Sequence, residues 1–233
     1  MDVLVVDIGG SHVKMLASGR HEPRRFDSGE NLTPQLLVER VREATADWKF
    51  DVISIGFPGV VDANGPRAEP GNLGPGWVRF DFAKAFGKPV RVLNDAAMQA
   101  LGGYDGGRML FIGLGTGVGS ALVTEHVVVP LELGCLPYGA GETLFDRLGA
   151  AGLEAHGQDA WLAAVTQVIT MLREAFSADY VLIGGGHAGR VDPLPRGTRC
   201  GGNEDAFTGG FRLWDEIVEP HDRRSESVWR VVR

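Results

Sequence analysis

Two short glycine-rich segments, each directly after an apolar run, constrain the fold of this 233-residue chain more than any other feature. DIGGSHVK occupies residues 7–14 after an apolar run at 3–6, and GLGTGVGS occupies residues 113–120 after an apolar run at 109–112. A short apolar run that ends at glycine is typical of a β-strand entering a tight turn. Several backbone N–H groups of such a turn can face one anion. The pattern therefore predicts two strand–turn–strand units that bind phosphate.

The first turn combines flexible backbone with polar side chains. Gly9 and Gly10 permit a tight turn, and Ser11 adds a hydroxyl. Asp7 ends the preceding strand as a carboxylate, which can hold Mg²⁺ through water. These residues suit a nucleotide or a polyphosphate tail. An ordinary hairpin turn, with the aspartate making local hydrogen bonds, explains them equally well.

The second turn is the more specific signal for an oxyanion site. Gly115, Gly117 and Gly119 alternate around Thr116, so a run of amides lacks side chains while one hydroxyl remains. A structural hairpin needs only one or two such glycines. The spacing therefore favours phosphate binding over a plain turn.

Two other strand ends carry candidate site residues. Gly184 and Gly185 follow a buried apolar run and resemble the start of a nucleotide-binding turn, although glycines alone are weak evidence. Asn94 and Asp95 also follow an apolar run, at a strand end of the kind where α/β sheets bind ligands. Asp95 is placed to accept a proton from a substrate hydroxyl. The alternative role for this pair is an N-cap, for which both residue types are favoured.

The remaining pattern predicts a mixed α/β chain of two lobes. Strands are expected at 3–8, 13–17, 52–56, 90–93, 120–124, 127–129 and 180–183. Helices are expected after the Thr33-Pro34 cap and through Trp48, over 95–101, after a cap at Asp159, and from about Asn203 to before Pro220. Residues 1–102 and 103–233 form the predicted lobes, and a glycine-rich turn at 102–107 connects them.

Composition narrows the class of partners. The net charge of −7 argues against a nucleic-acid or anionic-membrane surface, and no apolar run is long enough for a membrane span. No secretory signal precedes the first strand, so we expect a cytoplasmic protein. Cys135 and Cys200 are too far apart to suggest zinc-finger spacing or a disulfide framework. Arg190, Arg196 and Arg199, opposed only by Asp192, form a basic loop that is expected to be solvated rather than phosphate-binding.

Several segments together resemble the ROK family of sugar kinases, and its polyphosphate glucokinases in particular. They lie in family order between residue 2 and about residue 210: residues 7–14, FPGVVD at 57–62, Asn94-Asp95, LGTGVGSAL at 114–122 and ELG at 132–134. The resemblance implies a two-lobed actin-like ATPase (ribonuclease H-like) fold with a cleft between the lobes. It also implies a homodimer and an ATP or polyphosphate donor with Mg²⁺.

The resemblance implies roles for particular residues. Asp95 matches the family's catalytic base, Asn94 matches a ligand of a sugar hydroxyl, and Glu132 matches the sugar-binding glutamate of the Glu-x-Gly-His motif. Asn72 and Trp77 match a segment near the sugar, with Gly59 beside them. The phosphoryl donor is expected beneath the glycine loops, and Lys14 lies in the first matched segment.

The chain departs from the family pattern at two places. The cysteine cluster of the ROK zinc motif has no counterpart, as in polyphosphate glucokinase-like members, so no zinc site is expected. Cys135 stands where the Glu-x-Gly-His motif has histidine, and a thiol is a weaker hydrogen-bonding group than imidazole. Glucose as the acceptor is therefore less certain than kinase activity. The thiol itself is expected to be a small buried hydrophobe.

These departures leave two alternatives to a glucokinase. One is a non-catalytic sugar- or nucleotide-binding ROK homologue, and the other is a kinase for a different acceptor.

Overall fold

The computed structural model describes residues 1–139, 141–202, 204–217 and 226–232. Its strands are β1 (Val3–Ile8), β2 (His12–Ala17), β3 (Arg24–Asp27), β4 (Val52–Phe57), β5 (Val61–Asp62), β6 (Gly65–Pro66), β7 (Val90–Asn94), β8 (Met109–Leu114), β9 (Val118–Thr124), β10 (Val127–Leu131), β11 (Pro137–Gly139), β12 (Glu142–Thr143), β13 (Tyr180–Gly184), β14 (Thr198–Cys200), β15 (Glu216–Ile217), β16 (Glu226–Ser227) and β17 (Arg230–Val231). Its helices are α1 (Pro34–Ala44), α2 (Phe82–Phe86), α3 (Asp95–Gly103), α4 (Leu144–Leu148), α5 (Ala150–Ala175) and α6 (Asp205–Arg212), with 3-10 turns at Leu133–Cys135 and Ala188–Arg190.

The two main sheets repeat one topology. The first has the order β3-β2-β1-β4-β7, and the second has the order β14-β13-β8-β9-β10-β17. In the first sheet β2 is antiparallel to both β1 and β3, while β4 is parallel to both β1 and β7. In the second, β9 is antiparallel to β8 and β10, while β13 is parallel to β8 and β14. The repeated strand–glycine–strand pattern of the sequence thus corresponds to a repeated structural unit.

Burial explains why the central strands are apolar at most positions. All residues of β1 and β4 are buried, whereas buried and partly exposed residues alternate along β2. A strand covered on both faces has no solvent side to mark with polar residues. Asp7, near the end of β1, is an exception to this apolar pattern, and it lies next to the first glycine loop.

Helices α3 and α6 cross at close-packed glycines between the sheets. A Cβ atom on Gly102 would overlap the carbonyl oxygen of Asp205, and one on Gly209 would overlap the carbonyl oxygen of Met98. Ser54 of β4 donates its hydroxyl to the carbonyl oxygen of Gly210 at 2.6 Å. The last helix therefore packs against the first sheet. The lobe boundary between residues 102 and 103 stays a prediction.

The structure corrects several helix limits. Thr33 caps α1 as expected, its hydroxyl accepting from the N–H of Leu36 at 3.3 Å, but the helix ends at Ala44 and excludes Trp48. The long helix does not begin at Asp159. It begins at Ala150 and is broken at Gly157, whose φ of +75° is not helical.

Two other predicted boundaries also differ from those in the structure. The connection expected at 102–107 starts inside α3, which extends to Gly103. The last helix is shorter than expected and spans Asp205–Arg212, while Asn203 and Pro220 lie outside the described residues. Within the part of the chain that the structure describes, no helix is both long and apolar enough to cross a membrane.

Candidate active site

The first glycine loop is a closed turn with unused donors. The N–H of Gly9 donates to the carbonyl oxygen of His12 at 3.0 Å, and Ser28 fixes the turn through the carbonyl oxygens of Gly9 and Ser11. Gly10 and Ser11 are exposed. Among the described residues, neither of their N–H groups nor the Ser11 hydroxyl has a hydrogen-bond partner. The turn therefore leaves three donors free to meet an anion.

Asp7 is a buried carboxyl at the base of this loop. It lies opposite Lys14 in the β1–β2 register and is 8% exposed. Burial raises the pKa of Asp7, and the positive charge of Lys14 partly opposes that rise. Gly56 on the neighbouring strand makes room for Met98, because a Cβ there would overlap Met98 Cε, while it would lie in ordinary contact with Asp7 Oδ1 at 3.4 Å.

Asn94 ends β7 and caps α3. Its Oδ1 accepts from the N–H of Ala97 at 3.0 Å, and its Nδ2 donates to the carbonyl oxygen of Gly59 at 3.2 Å. The structure thus brings together two residues that the family resemblance placed at the sugar. The capping role considered from the sequence is present as well, and both polar atoms keep capacity for a further bond.

Asp95 is the first residue of α3, and its surroundings favour the protonated form of its carboxyl. Burial, together with the negative charges of Asp7 and Glu132, raises the pKa of Asp95 to about 7. The N–H of Ala96, 2.8 Å from Oδ1, opposes the rise. The residues predicted as base, metal ligand and sugar ligand therefore interact electrostatically. A carboxyl that titrates near neutral pH suits general base catalysis.

Glu132 is held by the backbone on either side of it. The Ser120 hydroxyl donates to the carbonyl oxygen of Leu131 at 2.9 Å and accepts from the N–H of Leu133 at 3.0 Å. Glu132 is exposed, and partial burial of its carboxyl raises its pKa. The N–H of Cys135 donates to the carbonyl oxygen of Glu132 at 3.1 Å. These bonds place the Glu132 side chain at the exit of β10.

The expectation that Cys135 is a buried hydrophobe is wrong. Cys135 is exposed. It ends the 3-10 turn Leu133–Cys135, which buries Leu133 and Gly134 and leaves the third residue outward. A Cβ on Gly134 would lie 3.0 Å from the carbonyl oxygen of Val118, so this turn packs tightly on the strand that follows the second glycine loop.

The second glycine loop also keeps unused donors. The N–H of Gly115 donates to the carbonyl oxygen of Gly117 at 3.0 Å, and the N–H of Ala150 contacts the carbonyl oxygens of Gly115 and Thr116. Thr116 is exposed. Its N–H and hydroxyl and the N–H of Gly117 have no partner in the described structure. The start of α5 therefore fixes the loop while its donors remain open.

Packing, as well as phosphate chemistry, requires glycines here. A Cβ on Gly117 would overlap the ring of Phe145, and one on Gly119 would lie 2.7 Å from Cβ of Ala96. Phe145 is 48% exposed although it contacts this loop. Phe145 could not be predicted from the sequence, because a single phenylalanine on a short helix gives no local signal of such a contact.

The third glycine turn lies against the second loop. Gly185 has φ +83°, and a Cβ there would overlap the backbone of Leu114. The N–H of His187 donates to the carbonyl oxygen of Leu114 at 2.9 Å. Gly184 contacts the Phe111 ring, which a Cβ would approach to 2.6 Å. Gly184 and Gly185 therefore adjoin the loop that holds Thr116.

The segment that resembles a sugar-binding stretch divides between core and surface. Trp77 is fully buried, its indole N–H donates to the carbonyl oxygen of Gly74 at 2.6 Å, and its ring centroid lies 5.5 Å from that of Phe57. It therefore belongs to the core of the first lobe. Asn72 is exposed instead, and its Nδ2 lies next to Gly10, 2.8 Å from where a Cβ would be.

The basic loop, the main surface cavity and the acidic side chains give no further candidate site. The arginines of the basic loop are exposed, and Arg199 is paired with Asp105 at 3.2 Å, a partner that the sequence analysis missed. A surface cavity of about 570 Å³ contains no predicted site residue; it is lined by Asp62, Ala63, Asn64, Gly65, Arg79, Phe80, Asp81, Phe82, Ala83, Val90 and Val92. Across the described ranges, no three His, Cys, Asp or Glu residues form a metal-holding group. The absence of zinc stays a prediction.

Comparison with known proteins agrees with this geometry. No protein-family model matches the chain. It is 25% identical over 209 residues to a polyphosphate glucokinase of Mycobacterium tuberculosis strain CDC 1551, covering 80% of this chain and 78% of that one. It also matches the structure of an inorganic polyphosphate/ATP-glucomannokinase from Arthrobacter sp. strain KM, with a TM-score of 0.76, 25% identity, and coverage of 90% and 96%. The chain is thus similar to polyphosphate glucokinases, the group that its sequence motifs resemble.

A more distant structure supports the fold alone. The ROK family glucokinase from Streptomyces griseus, solved with glucose and AMPPNP, matches with a TM-score of 0.67 and 15% identity, covering 90% of this chain and 98% of that one. The predicted two-lobed actin-like ATPase fold is confirmed. The ligand-binding role of each site residue remains a prediction.

Proposed function

We propose that this protein is a glucokinase-like sugar kinase that transfers a phosphoryl group from ATP or polyphosphate to a hexose hydroxyl. The observation that carries the proposal is the position of Asp95. This carboxyl, with a pKa raised to about 7, interacts with Asp7 at the first glycine loop and with Glu132 on the exit from β10. Both glycine loops expose unused N–H and hydroxyl donors.

The proposed reaction is a direct displacement at phosphorus. Asp95 accepts the proton of the sugar hydroxyl while that oxygen forms a bond to the terminal phosphorus. The bond from phosphorus to the bridging oxygen of the donor breaks, and its electron pair stays on that oxygen. Asn94, Glu132 and the backbone of Gly59 hold the sugar. Positioning and charge stabilisation supply most of the catalysis in such reactions.

The loop donors are proposed to hold the phosphates of the donor. Among the residues that the structure describes, the N–H groups of Gly10, Ser11, Thr116 and Gly117 have no acceptor. Preorganised donors of this kind stabilise negative charge that develops during the reaction. Gly184 and Gly185 adjoin the second loop and are proposed to contact the rest of a nucleotide. Lys14 supplies a positive charge beside Asp7.

We further propose that Asp7 binds a divalent cation. Asp7, Asp95 and Glu132 all have raised pKa values, and Lys14 is the cation that opposes the rise at Asp7. A further positive charge is therefore favourable here, and carboxylate oxygens suit Mg²⁺. Asp7 would hold the ion through water. Bound Mg²⁺ would neutralise charge on the donor phosphates.

The compartment, the oligomeric state and the partners of the enzyme are proposed from the same resemblance. We expect a cytoplasmic homodimer that acts on a small-molecule sugar, without nucleic-acid or membrane partners. The relatives named above include a polyphosphate glucokinase and a polyphosphate/ATP-glucomannokinase, so both donors are proposed for this chain.

The proposal is tested by measuring phosphoryl transfer. ATP and polyphosphate are each supplied with Mg²⁺ and a panel of hexoses, and sugar phosphate is quantified. Asp95→Asn should lose at least about a hundredfold in kcat, since general base catalysis contributes about 10²–10⁴-fold. Asp159→Asn, at an exposed position on α5, is the matched control. Calorimetric sugar binding without turnover on any donor would instead indicate a non-catalytic homologue.

A further inference from the structure

The last helix is fixed to the first sheet by a small buried network. Ser54 of β4 donates its hydroxyl to the carbonyl oxygen of Gly210 at 2.6 Å, and the indole N–H of Trp214 donates to Ser54 Oγ at 2.9 Å. The guanidinium carbon of Arg91, on β7, lies 4.1 Å from the centroid of the Trp214 ring. The chain therefore leaves α6 attached to both β4 and β7.

The residues near the C-terminus attach to the second sheet instead. Strand β17 lies parallel to β10 at an edge of that sheet. The N–H of Arg230 donates to the carbonyl oxygen of His126 at 2.8 Å, and the N–H of Val232 donates to that of Val128 at 2.9 Å. The Trp229 ring packs on the His126 ring with 5.0 Å between centroids. Backbone and side-chain contacts together fix β17 to the start of β10.

A direct contact joins these two attachments. The N–H of Val228 donates to the carbonyl oxygen of Asp215 at 3.0 Å, and β15 pairs with β16 next to that bond. We call residues 213–217 and 226–232 together the C-terminal strap. The strap connects the first sheet to the second outside the glycine loops.

The strap joins the two strands that carry the proposed sugar ligands. Strand β7 ends at Asn94, and Arg91 near its start contacts the strap at Trp214. Strand β10 ends immediately before Glu132, and its first two residues pair with β17. Both strands are thus held at the ends opposite to the site.

We propose that the C-terminal strap is a positioning element that sets the separation of Asn94 and Glu132 by restraining one sheet against the other. The inference rests on the proposed kinase function, in which these two residues bind the sugar. The strap acts through β7 and β10 and does not contact the substrate. A cleft that is held near its binding geometry loses less conformational freedom when the sugar binds, so its affinity is higher.

The restraint also predicts how the two substrates influence each other. The proposed donor site bridges the sheets as well, because its glycine loops follow β1 and β8. Without the strap, the first substrate to bind must bring the sheets together, and the second then meets a cleft that is already arranged. Loss of the strap should therefore increase the cooperativity between sugar and donor.

Proline substitution releases the strap at positions that also provide their own control. Arg230→Pro combined with Val232→Pro removes both N–H groups that donate to β10. Arg230→Ala combined with Val232→Ala removes the same two exposed side chains and keeps both N–H groups. The double-alanine variant is the matched control for the double-proline variant.

Distances between spin labels measure the restraint without any ligand. One label is attached to the exposed Cys200 on β14 and the other to Lys84→Cys on α2, in a Cys135→Ser background. The double-proline variant should give a broader distance distribution that extends to longer distances, and the double-alanine variant should match the otherwise unaltered chain. The same distribution in the double-proline variant would overturn the inference.

Calorimetry tests the effect on the sugar site. Glucose is titrated into each protein alone and in the presence of saturating Mg²⁺–AMPPNP. The double-proline variant alone should bind glucose about tenfold more weakly than wild type, and AMPPNP should recover most of that loss. In wild type and in the double-alanine variant, AMPPNP should change glucose affinity by a factor at least about threefold smaller. An equal loss of affinity with and without AMPPNP would indicate a structural defect alone and would contradict the positioning role.

The two measurements separate this inference from the proposed function. Absence of both glucose binding and sugar phosphate formation in wild type would contradict the kinase function, while the label distances still decide whether the strap restrains the sheets. A broader distance distribution with unchanged glucose affinity would overturn the positioning of Asn94 and Glu132 by the strap.

Discussion

The side-chain N–H of Asn94 donates to the carbonyl oxygen of Gly59 across 3.2 Å, and Asn94 Oδ1 accepts from the N–H of Ala97 at 3.0 Å. One amide therefore caps α3 and links the end of β7 to the segment that follows β4. Asp95 is the next residue along the chain. The position of its carboxyl depends on both hydrogen bonds.

Removing that amide should affect stability and activity together. Asn94→Ala loses a helix cap and leaves the Gly59 carbonyl without this donor, so we expect a loss of about 1–3 kcal/mol in the free energy of unfolding. Sugar phosphorylation should fall by more than the folded fraction explains. Thr33→Ala removes the cap of α1, a helix that carries no predicted site residue, and should cost stability alone. Equal activity losses in the two variants, measured on folded protein, would refute a special role for Asn94.

The rate should depend on pH through Asp95. Its pKa is raised to about 7, chiefly by burial and then by the charge of Asp7. Since only the ionised carboxyl accepts a proton, kcat/KM should increase with pH through about 7 and level off above it. Glu132→Gln removes a negative charge and should move the residual profile to lower pH, whereas Glu154→Gln, on the exposed side of α5, should not. A flat profile between about pH 6 and about pH 8 would be inconsistent with this base.

The same pKa predicts that Asp95 costs stability at neutral pH. Its folded-state pKa of about 7 exceeds the ordinary aspartate value of 3.8, so between these pH values the folded form holds a proton that the unfolded chain releases. Stability from this group is present below about pH 4 and is lost as pH rises through about 7. Asp95→Asn avoids that loss and can still accept from the N–H of Ala96.

Urea denaturation at several pH values measures this effect. Above about pH 7, Asp95→Asn should be more stable than wild type, by no more than about 4 kcal/mol at roughly 1.4 kcal/mol per pKa unit. The difference should shrink as pH falls towards 4. Asp159→Asn, exposed on α5, should show no such pH dependence. A difference that stays constant with pH would mean that the gain does not come from ionisation.

Gly117 should be intolerant of substitution because of Phe145. A Cβ on Gly117 would overlap the phenyl ring, whereas one on Gly115 would meet nothing within 4 Å. Gly117→Ala should therefore lower the free energy of unfolding by about 1–3 kcal/mol, and Gly115→Ala by less than about 1 kcal/mol. Phe145→Ala should relieve the cost of Gly117→Ala in the double variant. Additive costs in thermal denaturation would show that the ring can move aside.

Local patterns predicted the elements that present the site. The apolar runs before residues 7–14 and 113–120 became β1 and β8, and Thr33-Pro34 began α1 as its residue types require. Asn94 and Asp95 lie at the predicted strand end. Each of these elements is determined by a pattern of a few neighbouring residues. It can therefore be predicted without knowing any contact between distant parts of the chain.

The features that the sequence pattern did not predict depend mainly on the folded chain, and most of them on contacts between residues far apart in sequence. The break in α5 at Gly157 follows from a backbone conformation that composition does not specify. Trp77 is buried against Phe57, which lies on β4 and outside the segment that holds Trp77. The contact of Phe145 with Gly117 likewise joins residues 28 positions apart (145 − 117). Such neighbours exist only in the folded chain.

Cys135 offers the sharpest test of acceptor choice. It is exposed one position after the buried Gly134, and its N–H contacts the carbonyl oxygen of Glu132. In the family motif this position holds histidine, whose ring nitrogens form stronger hydrogen bonds to a hydroxyl than a thiol does. One gained polar contact is worth about 1–3 kcal/mol, so Cys135→His should raise kcat/KM for glucose about tenfold. Cys200→His, at the other exposed cysteine, should leave it unchanged. If Cys135→His instead lowers activity on the sugar that wild type prefers and gives no gain on glucose, the thiol contacts a different acceptor, and the enzyme is not a glucokinase lacking one ligand.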